Sequence, residues 1–99
     1  MANSQLLTAI SAFLDYLRIE RQLSPHTRDG YGRHLQGMAE QLSELQLTCW
    51  SSLTLPHVRG LATRMHKSGL SPRSIATKLS ALRSFCDWLI VQGQLSANP

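Results

Sequence analysis

The sequence predicts an all-α domain of four helices joined by short connections. Apolar residues recur every three or four positions through most of the chain, as on one face of an α-helix, and no segment alternates as a β-strand does. Two of these periodic segments open with serine followed by proline, a strong start signal for a helix. With 99 residues, 42% of them hydrophobic, the chain is long enough for one modest core.

The first two helices are each predicted from one apolar stripe. The first runs to about Glu20, with Ser4 as its predicted N-cap. Its stripe consists of Leu6, Ile10, Phe13, Leu14 and Leu17. The second begins at Ser24-Pro25, because serine accepts a hydrogen bond from a free amide of the first turn and proline has a helical φ already. Its stripe consists of Tyr31, Leu35, Met38 and Leu42.

A connection and a third helix follow. Residues 43–53 show no sustained period and are predicted to be a connection, held to the core by Leu47 and Trp50. Thr54 is the predicted N-cap of the third helix, and Gly69 suits the left-handed position that follows its last turn. The stripe of this helix consists of Val58, Leu61, Ala62 and Met65.

The fourth helix is predicted to be the longest. It extends from about Pro72 to Gln92, with Ser71 as its N-cap and Gly93 as its stop. Its apolar stripe consists of Ile75, Leu79, Leu82, Phe85, Cys86 and Leu89. The domain is therefore predicted to cover residues 1–93, and the polar tail 94–99 is predicted to begin a linker.

Positive charge is concentrated in the second half of the chain. Residues 1–50 contain four arginines and five carboxylates, whereas residues 51–99 contain six Lys or Arg against Asp87 alone. No acidic residue lies between Arg59 and Arg83. Such a region predicts a polyanionic partner, because cations that neutralise phosphates release condensed counterions. The alternative is a solvated basic surface without a partner.

The face of the fourth helix opposite its stripe has small and polar side chains. At about 100° per residue this face contains Arg73, Thr77, Ser80 and Ser84, with Ala81 beside them. Lys78 and Arg83 flank the stripe on either side. Small side chains allow the backbone of a helix to approach a nucleic acid closely, and flanking cations reach its phosphates. The same pattern is also typical of close helix–helix packing, so both interpretations stay open from the residues alone.

No combination of residues predicts catalysis, a metal site or a cofactor. The histidines lack the spacing that places two ligands on one helical face, and His34 and His66 are predicted to face solvent or lie at helix caps. The carboxylates are isolated, no glycine-rich phosphate loop is present, and Tyr16 and Tyr31 are predicted to lie in or at the edge of the core.

The expected location is the cytoplasm. No apolar run reaches the roughly 20 residues of a membrane span, and the first residues lack the charged and apolar blocks of a signal peptide. Cys49 and Cys86 are far apart and are predicted to be two buried thiols in a reducing compartment.

Three segments of the chain resemble XerC-type tyrosine recombinases of the site-specific recombinase and phage integrase family. Residues 20–27, ERQLSPHT, match a signature between the first two helices of that family. Residues 79–89, LSALRSFCDWL, preceded by the 69–75 segment GLSPRSI, resemble a helix of its amino-terminal domain. Residues 95–99, LSANP, match the motif that precedes the interdomain linker. These segments occur in the family's order and at its spacing.

The resemblance implies a SAM-like core-binding domain of four to five helices, which clamps duplex DNA at a recombination half-site. Its second and fourth helices would face the major groove. The residues that this assigns to DNA contact are Thr27, Arg28, Arg33, Arg73, Ser74, Thr77, Lys78, Ser80 and Arg83. The resemblance also implies that the intact protein acts with a XerD-like recombinase in chromosome dimer resolution.

The resemblance implies that the catalytic residues lie beyond Pro99, so we expect no enzymatic activity, cofactor or small-molecule ligand in this chain. Arg28 and Gly30 depart from the residues usual in relatives. Gly30 and Gly32 either allow the second helix to approach the duplex or are merely tolerated. The alternative function is that of a helical protein–protein interaction module, which uses the Ser/Thr/Ala face for a partner helix.

Overall fold

The computed structural model describes residues 3–99, and within them the chain forms four α-helices and no β-strand. The helices are α1 (Ser4–Ile19), α2 (Pro25–Glu44), α3 (Leu55–Lys67) and α4 (Pro72–Val91). A single 3-10 turn, Trp50–Ser52, lies in the connection between α2 and α3. Helices α2 and α4 each contact the other three helices. The predicted all-α architecture is confirmed.

Three of the four predicted helix starts are confirmed. The hydroxyl of Ser24 accepts a hydrogen bond from the amide of Thr27 at 3.3 Å, and the hydroxyl of Ser71 accepts one from the amide of Ser74 at 3.1 Å. Thr54 is the N-cap of α3, where its own amide donates to an imidazole nitrogen of the third helical residue at 3.0 Å. Proline follows each of these caps within two positions, as the sequence predicts.

The predicted N-cap of α1 is wrong by one residue. Asn3, not Ser4, has the extended backbone of a cap, and its side-chain oxygen accepts a hydrogen bond from the amide of Gln5 at 2.8 Å. Asparagine and serine cap helices equally well, so the sequence alone does not separate the two adjacent candidates. Ser4 is instead the first helical residue, and its carbonyl accepts a hydrogen bond from the hydroxyl of Thr8.

The core is built around aromatic side chains from α1 and α4. Phe13 packs against Phe85 with ring centroids 5.2 Å apart, and against Trp88 at 5.5 Å. Tyr16 and Tyr31 pack on the rim of this cluster, which confirms the predicted core or edge position of both tyrosines. Aromatic pairs at such separations add to the stability that burial of their area supplies.

The connection after α2 is held to the core at the two predicted residues. Leu47 and Trp50 are buried, and the indole nitrogen of Trp50 donates a hydrogen bond to the carbonyl of Leu6 at 3.1 Å. Helix α2 itself extends to Glu44, slightly into the predicted connection. The carboxylate of Glu44 forms an ion pair with Arg64 of α3 at 2.9 Å, which links the two helices at the surface.

The cysteines differ in exposure. Both are free thiols, but only Cys86 is buried, whereas Cys49 is partly exposed next to the hydroxyls of Ser51 and Ser52. The prediction of two buried thiols is therefore right for Cys86 and wrong for Cys49. The difference arises because Cys86 lies on the apolar stripe of α4, while Cys49 lies in a connection that has no periodic inward face.

Candidate nucleic-acid interface

A groove of about 370 Å³ separates the exposed faces of α2 and α4. It is lined by Thr27, Gly30, Tyr31, His34, Thr77, Ser80 and Ala81. Three of the residues that the resemblance assigns to DNA contact, Thr27, Thr77 and Ser80, therefore meet at one place although they belong to two distant segments. The lining contains no carboxylate, lysine or arginine, and most of its side chains are short.

Two of the three glycines of the second helix, Gly30 and Gly32, have different surroundings. A Cβ added at Gly30 would meet no atom within 4 Å, because this residue faces the open groove. A Cβ added at Gly32 would lie 3.2 Å from a methyl carbon of Leu14, because this residue is buried against α1. Gly32 thus allows close packing of two helices, whereas Gly30 widens the groove.

The polar face of α4 is exposed, as predicted, but two residues beside it are not. Arg73, Thr77 and Ser80 are exposed, and the hydroxyl of Thr77 donates to the carbonyl of Arg73 at 3.0 Å. Ser74 is half-buried, and its hydroxyl accepts a hydrogen bond from Ser71 at the N-cap. Ala81, predicted beside the exposed face, is only 6% exposed and forms the floor of the groove.

Lys78 is joined to His34 across the α2–α4 contact. Its ammonium lies 3.1 Å from Nδ1 of His34, and both side chains are half-buried. Burial lowers the pKa of His34 from its usual value, and the positive charges of Lys78 and Arg33 lower it further. The prediction that His34 faces solvent or lies at a cap is wrong, since the residue lines the groove and accepts a hydrogen bond there. His66 is exposed, as predicted.

Arg28 and Arg33 do not line the groove. They border a separate hollow of about 460 Å³, together with Asp29, His26 and Gln36 among others. The Nε of Arg28 donates to the carbonyl of Leu23 at 3.2 Å, so part of this guanidinium stabilises the turn between α1 and α2. Arg33 is exposed. These two predicted contact residues therefore occupy a second face of α2.

Arg83 is exposed near the middle of α4, where the tail returns along the helix. The side-chain amide of Asn98 donates to the carbonyl of Arg83 at 3.2 Å and to a carboxylate oxygen of Asp87 at 2.8 Å. Arg83 and Asp87 are one turn apart, yet among residues 3–99 they form no ion pair. The guanidinium of Arg83 therefore remains available to an external anion.

The described part of the chain has no metal-binding cluster. No group of three or more His, Cys, Asp or Glu residues within positions 3–99 is close enough to hold a metal ion. No helix in the same range is long and apolar enough to cross a membrane.

Comparison with protein families identifies the domain. Residues 10–93 match the family described as phage integrase, N-terminal SAM-like domain. The chain belongs to this family. The match begins within α1, extends through α4 and ends at Gly93, two residues after the last residue of α4. The predicted SAM-like fold and the predicted family are both confirmed.

Similarity to individual proteins supports the same family assignment. The chain is 46% identical to the tyrosine recombinase XerC of Proteus mirabilis over 95% of its length, and 48% identical to that of Serratia marcescens over 91%. It is 46% identical to the XerC of Salmonella typhi over its whole length. It spans about a third of the length of these relatives. No solved structure matches the chain.

The segments that carry the resemblance have clear positions in this SAM-like domain. Residues 20–27 form the turn between α1 and α2, the Ser24 cap and the first residues of α2. Residues 79–89 form the part of α4 that contributes Leu82, Phe85 and Leu89 to the core. Much of the shared sequence is thus structural, and the assignment of individual DNA contacts stays a prediction. The groove residues Gly30, Tyr31 and His34 were not among the predicted contacts, because their place at the groove depends on how α2 meets α4.

Proposed function

We propose that this domain binds duplex DNA through the groove between α2 and α4 and the cations around it, and thereby clamps a recombination half-site. The observation that carries the proposal is the convergence of Thr27, Thr77 and Ser80 on one groove without a carboxylate in its lining. Because these residues come from two helices far apart in sequence, their meeting is not a consequence of local periodicity.

The physical basis is the fit of a phosphate backbone to this surface. Short hydroxyl-bearing side chains and Gly30 allow the duplex to approach the helices closely, and hydroxyls donate hydrogen bonds to phosphate oxygens. Lys78 lies beside the groove, and Arg73 and Arg83 are exposed along α4. Arg28 and Arg33 provide a second cationic margin on the other face of α2. Such cations either neutralise phosphates or contact guanine edges.

Salt dependence tests the proposal directly. If the domain neutralises about four phosphates, the logarithm of its affinity for duplex DNA falls with the logarithm of salt concentration at a slope near −3.6. Fluorescence anisotropy with a labelled duplex at several salt concentrations measures this slope. A slope near zero, or no binding at low salt, contradicts the proposal.

Substitutions on α4 test which surface is used. We expect Arg73→Ala, Lys78→Ala and Arg83→Ala to weaken DNA binding without unfolding the domain, because all three lie off the buried stripe. Loss of a phosphate contact reduces the salt slope by about one unit, whereas loss of a base contact relaxes preference at one position. Arg18→Ala on α1 is the matched control, since Arg18 is exposed and forms an ion pair with Asp15 at 3.7 Å on its own helix. If the α4 variants bind like the wild type, the interaction-module alternative is favoured instead.

We further propose that in the intact protein this domain works beside a catalytic domain, in the cytoplasm and with a XerD-like recombinase, in chromosome dimer resolution. The similarity to XerC recombinases supports this role. We expect this domain by itself neither to cleave nor to join DNA, because Tyr16 and Tyr31 are half-buried against the core. Incubation with a nicked half-site tests this, and a denaturation-resistant protein–DNA adduct would contradict it.

A further inference from the structure

The contact between Lys78 and His34 restricts the protonation state of the imidazole. A lysine ammonium has three hydrogen-bond donors and no acceptor. At 3.1 Å, Nδ1 of His34 must therefore accept the hydrogen bond, which leaves the ring neutral with its hydrogen on Nε2. A protonated ring would have no lone pair at Nδ1 and would place two cations in contact.

The charged groups around His34 are all positive. Arg33 precedes it on α2, and Lys78 faces it from α4. A second hollow, of about 210 Å³, lies on the side of His34 toward α3, where Met65 and Ser68 contribute no charge. Besides His34 and Lys78, the residues that line the groove and this second hollow include one more ionisable side chain, that of Tyr31 in the groove. In the free domain, burial and these two cations therefore favour the neutral imidazole, which is why the pKa of His34 is lowered.

We propose that His34 is a positioning residue, which holds Lys78 beside the groove in the free domain and takes up a proton when a DNA phosphate draws Lys78 away. This inference rests on the proposed DNA binding. One N–H of Lys78 leaves Nδ1 and donates to a phosphate oxygen, and the freed lone pair of Nδ1 binds a proton from the buffer. The phosphate charge offsets the repulsion between the two cations, and no covalent bond other than N–H changes.

Proton uptake on binding makes DNA affinity increase as pH falls. For uptake of one full proton, affinity changes tenfold per pH unit, because the slope of log affinity against pH equals the number of protons taken up. The chain contains three other histidines, His26, His57 and His66. The effect of His34 must therefore be measured as a difference between variants.

Calorimetry of DNA binding in two buffers of different ionisation enthalpy, near pH 6.5, measures the proton uptake directly. The probe is a short mixed-sequence DNA duplex at low salt. His34→Gln retains a hydrogen-bond acceptor for Lys78 but does not titrate, so we expect a smaller proton uptake than in the wild type. His66→Gln, at an exposed histidine of α3, is the control and should retain the uptake attributable to His34. Equal uptake by His34→Gln and the wild type overturns the proposal.

The positioning role is tested separately with His34→Ala, which removes the acceptor. Because the Lys78–His34 hydrogen bond must break when DNA binds, we expect the affinity of His34→Ala at pH 7.5 to be severalfold above that of His34→Gln. If His34→Ala binds no more tightly than His34→Gln at this pH, the restraint of Lys78 by His34 is overturned.

A measurement without DNA separates this inference from the proposed function. In an NMR titration of the free domain, His34 should titrate below its usual pKa, and Lys78→Met should move its pKa back toward the usual value. Methionine retains most of the apolar volume of the lysine and removes its charge. A normal pKa for His34, or no response to Lys78→Met, overturns the coupling even if the domain binds DNA. Failure of the wild type to bind DNA at any pH overturns the proposed function instead.

Discussion

The two thiols of the domain differ in acidity because of their immediate neighbours. Hydrogen bonds from the hydroxyls of Ser51 and Ser52, at 3.2 and 3.3 Å, lower the pKa of Cys49. Burial raises the pKa of Cys86 to about 12, and the negative charge of Asp87 adds to the effect. Since the thiolate is the reactive form, the two cysteines should differ strongly in nucleophilicity.

Alkylation should therefore be selective for Cys49. At a pH near 8 we expect iodoacetamide to modify Cys49 in the native domain, while Cys86 stays unmodified until the domain unfolds. Peptide mapping by mass spectrometry over time measures both rates in one sample. Cys49→Ser is the control and should leave a native protein that incorporates almost no label. Comparable native rates at the two cysteines would contradict this assignment.

Residue positions were predictable from sequence where the determining contact is local. Ser24 and Ser71 cap their helices through amides three residues away, so spacing alone identifies them. The surroundings of Cys49 and His34 were not predictable in this way. The exposure of Cys49 depends on the path of a non-periodic connection, and His34 receives its hydrogen bond from Lys78, which is 44 positions away in sequence.

At the scale of elements, Gly30 and Gly32 of α2 allow the groove to be tested separately from the core. Glycine inside a helix costs about 0.5–1 kcal/mol relative to alanine. We expect Gly30→Ala to raise the free energy of unfolding by this amount, since the added methyl group meets no atom within 4 Å. The same methyl group projects into the groove, so DNA affinity should fall.

Gly32→Ala is the matched control for that substitution. Its methyl group would lie 3.2 Å from Leu14, so this side chain must shift and the gain in stability should be smaller or reversed. Because Gly32 is buried and borders only the hollow of Arg28 and Arg33, not the groove, DNA affinity should fall less than with Gly30→Ala. Urea denaturation and anisotropy titrations on both variants measure the two effects. If Gly30→Ala binds DNA as the wild type does, the groove is not a close-contact surface.

The helices were more predictable from the sequence than the connections between them and the contacts from one helix to another. Each predicted helix is present, because apolar spacing, cap residues and the left-handed glycines at positions 69 and 93, with φ of +91° and +75°, are local signals. The short 3-10 turn was not predicted, since three residues show no measurable period. Ala81 lies where the polar and apolar faces of α4 meet, and its burial depends on how closely α2 approaches.

At the scale of the whole molecule, apolar stripes predict one shared core but not which faces meet around it. The family resemblance therefore assigned contact residues to both α2 and α4. It did not show that only some of these residues line the same groove. Thr27, Thr77 and Ser80 do, whereas Arg28 and Arg33 border another hollow. This distinction depends on helix packing. It makes Thr27, Thr77 and Ser80 the stronger candidates for close DNA contact.

The carboxyl-terminal tail, residues 94–99, makes contacts with the rest of the domain. Residues 94–99 were predicted to begin a linker, yet Leu95 is only 6% exposed and belongs to the hydrophobic core. The amide of Gln94 donates to the carbonyl of Leu89 at 2.9 Å, and Asn98 bonds to two groups on α4. From these contacts we expect the stability of the domain to depend partly on residues beyond Gly93, although the family match ends at Gly93.

Truncation after Gly93 tests this dependence. We expect a chain of residues 1–93 to lose about 1.5–3 kcal/mol of unfolding free energy relative to residues 1–99, because that is the stabilisation from burying one leucine side chain. Leu95→Ala in the longer chain should lose a comparable amount through the cavity that it leaves. Asn98→Ala should lose less than about 1 kcal/mol, since its hydrogen bonds are exposed and water replaces them. Urea denaturation followed by circular dichroism measures all three changes. Unchanged stability of the 1–93 chain would mean that residues 94–99 are a linker in energetic terms, despite the buried position of Leu95.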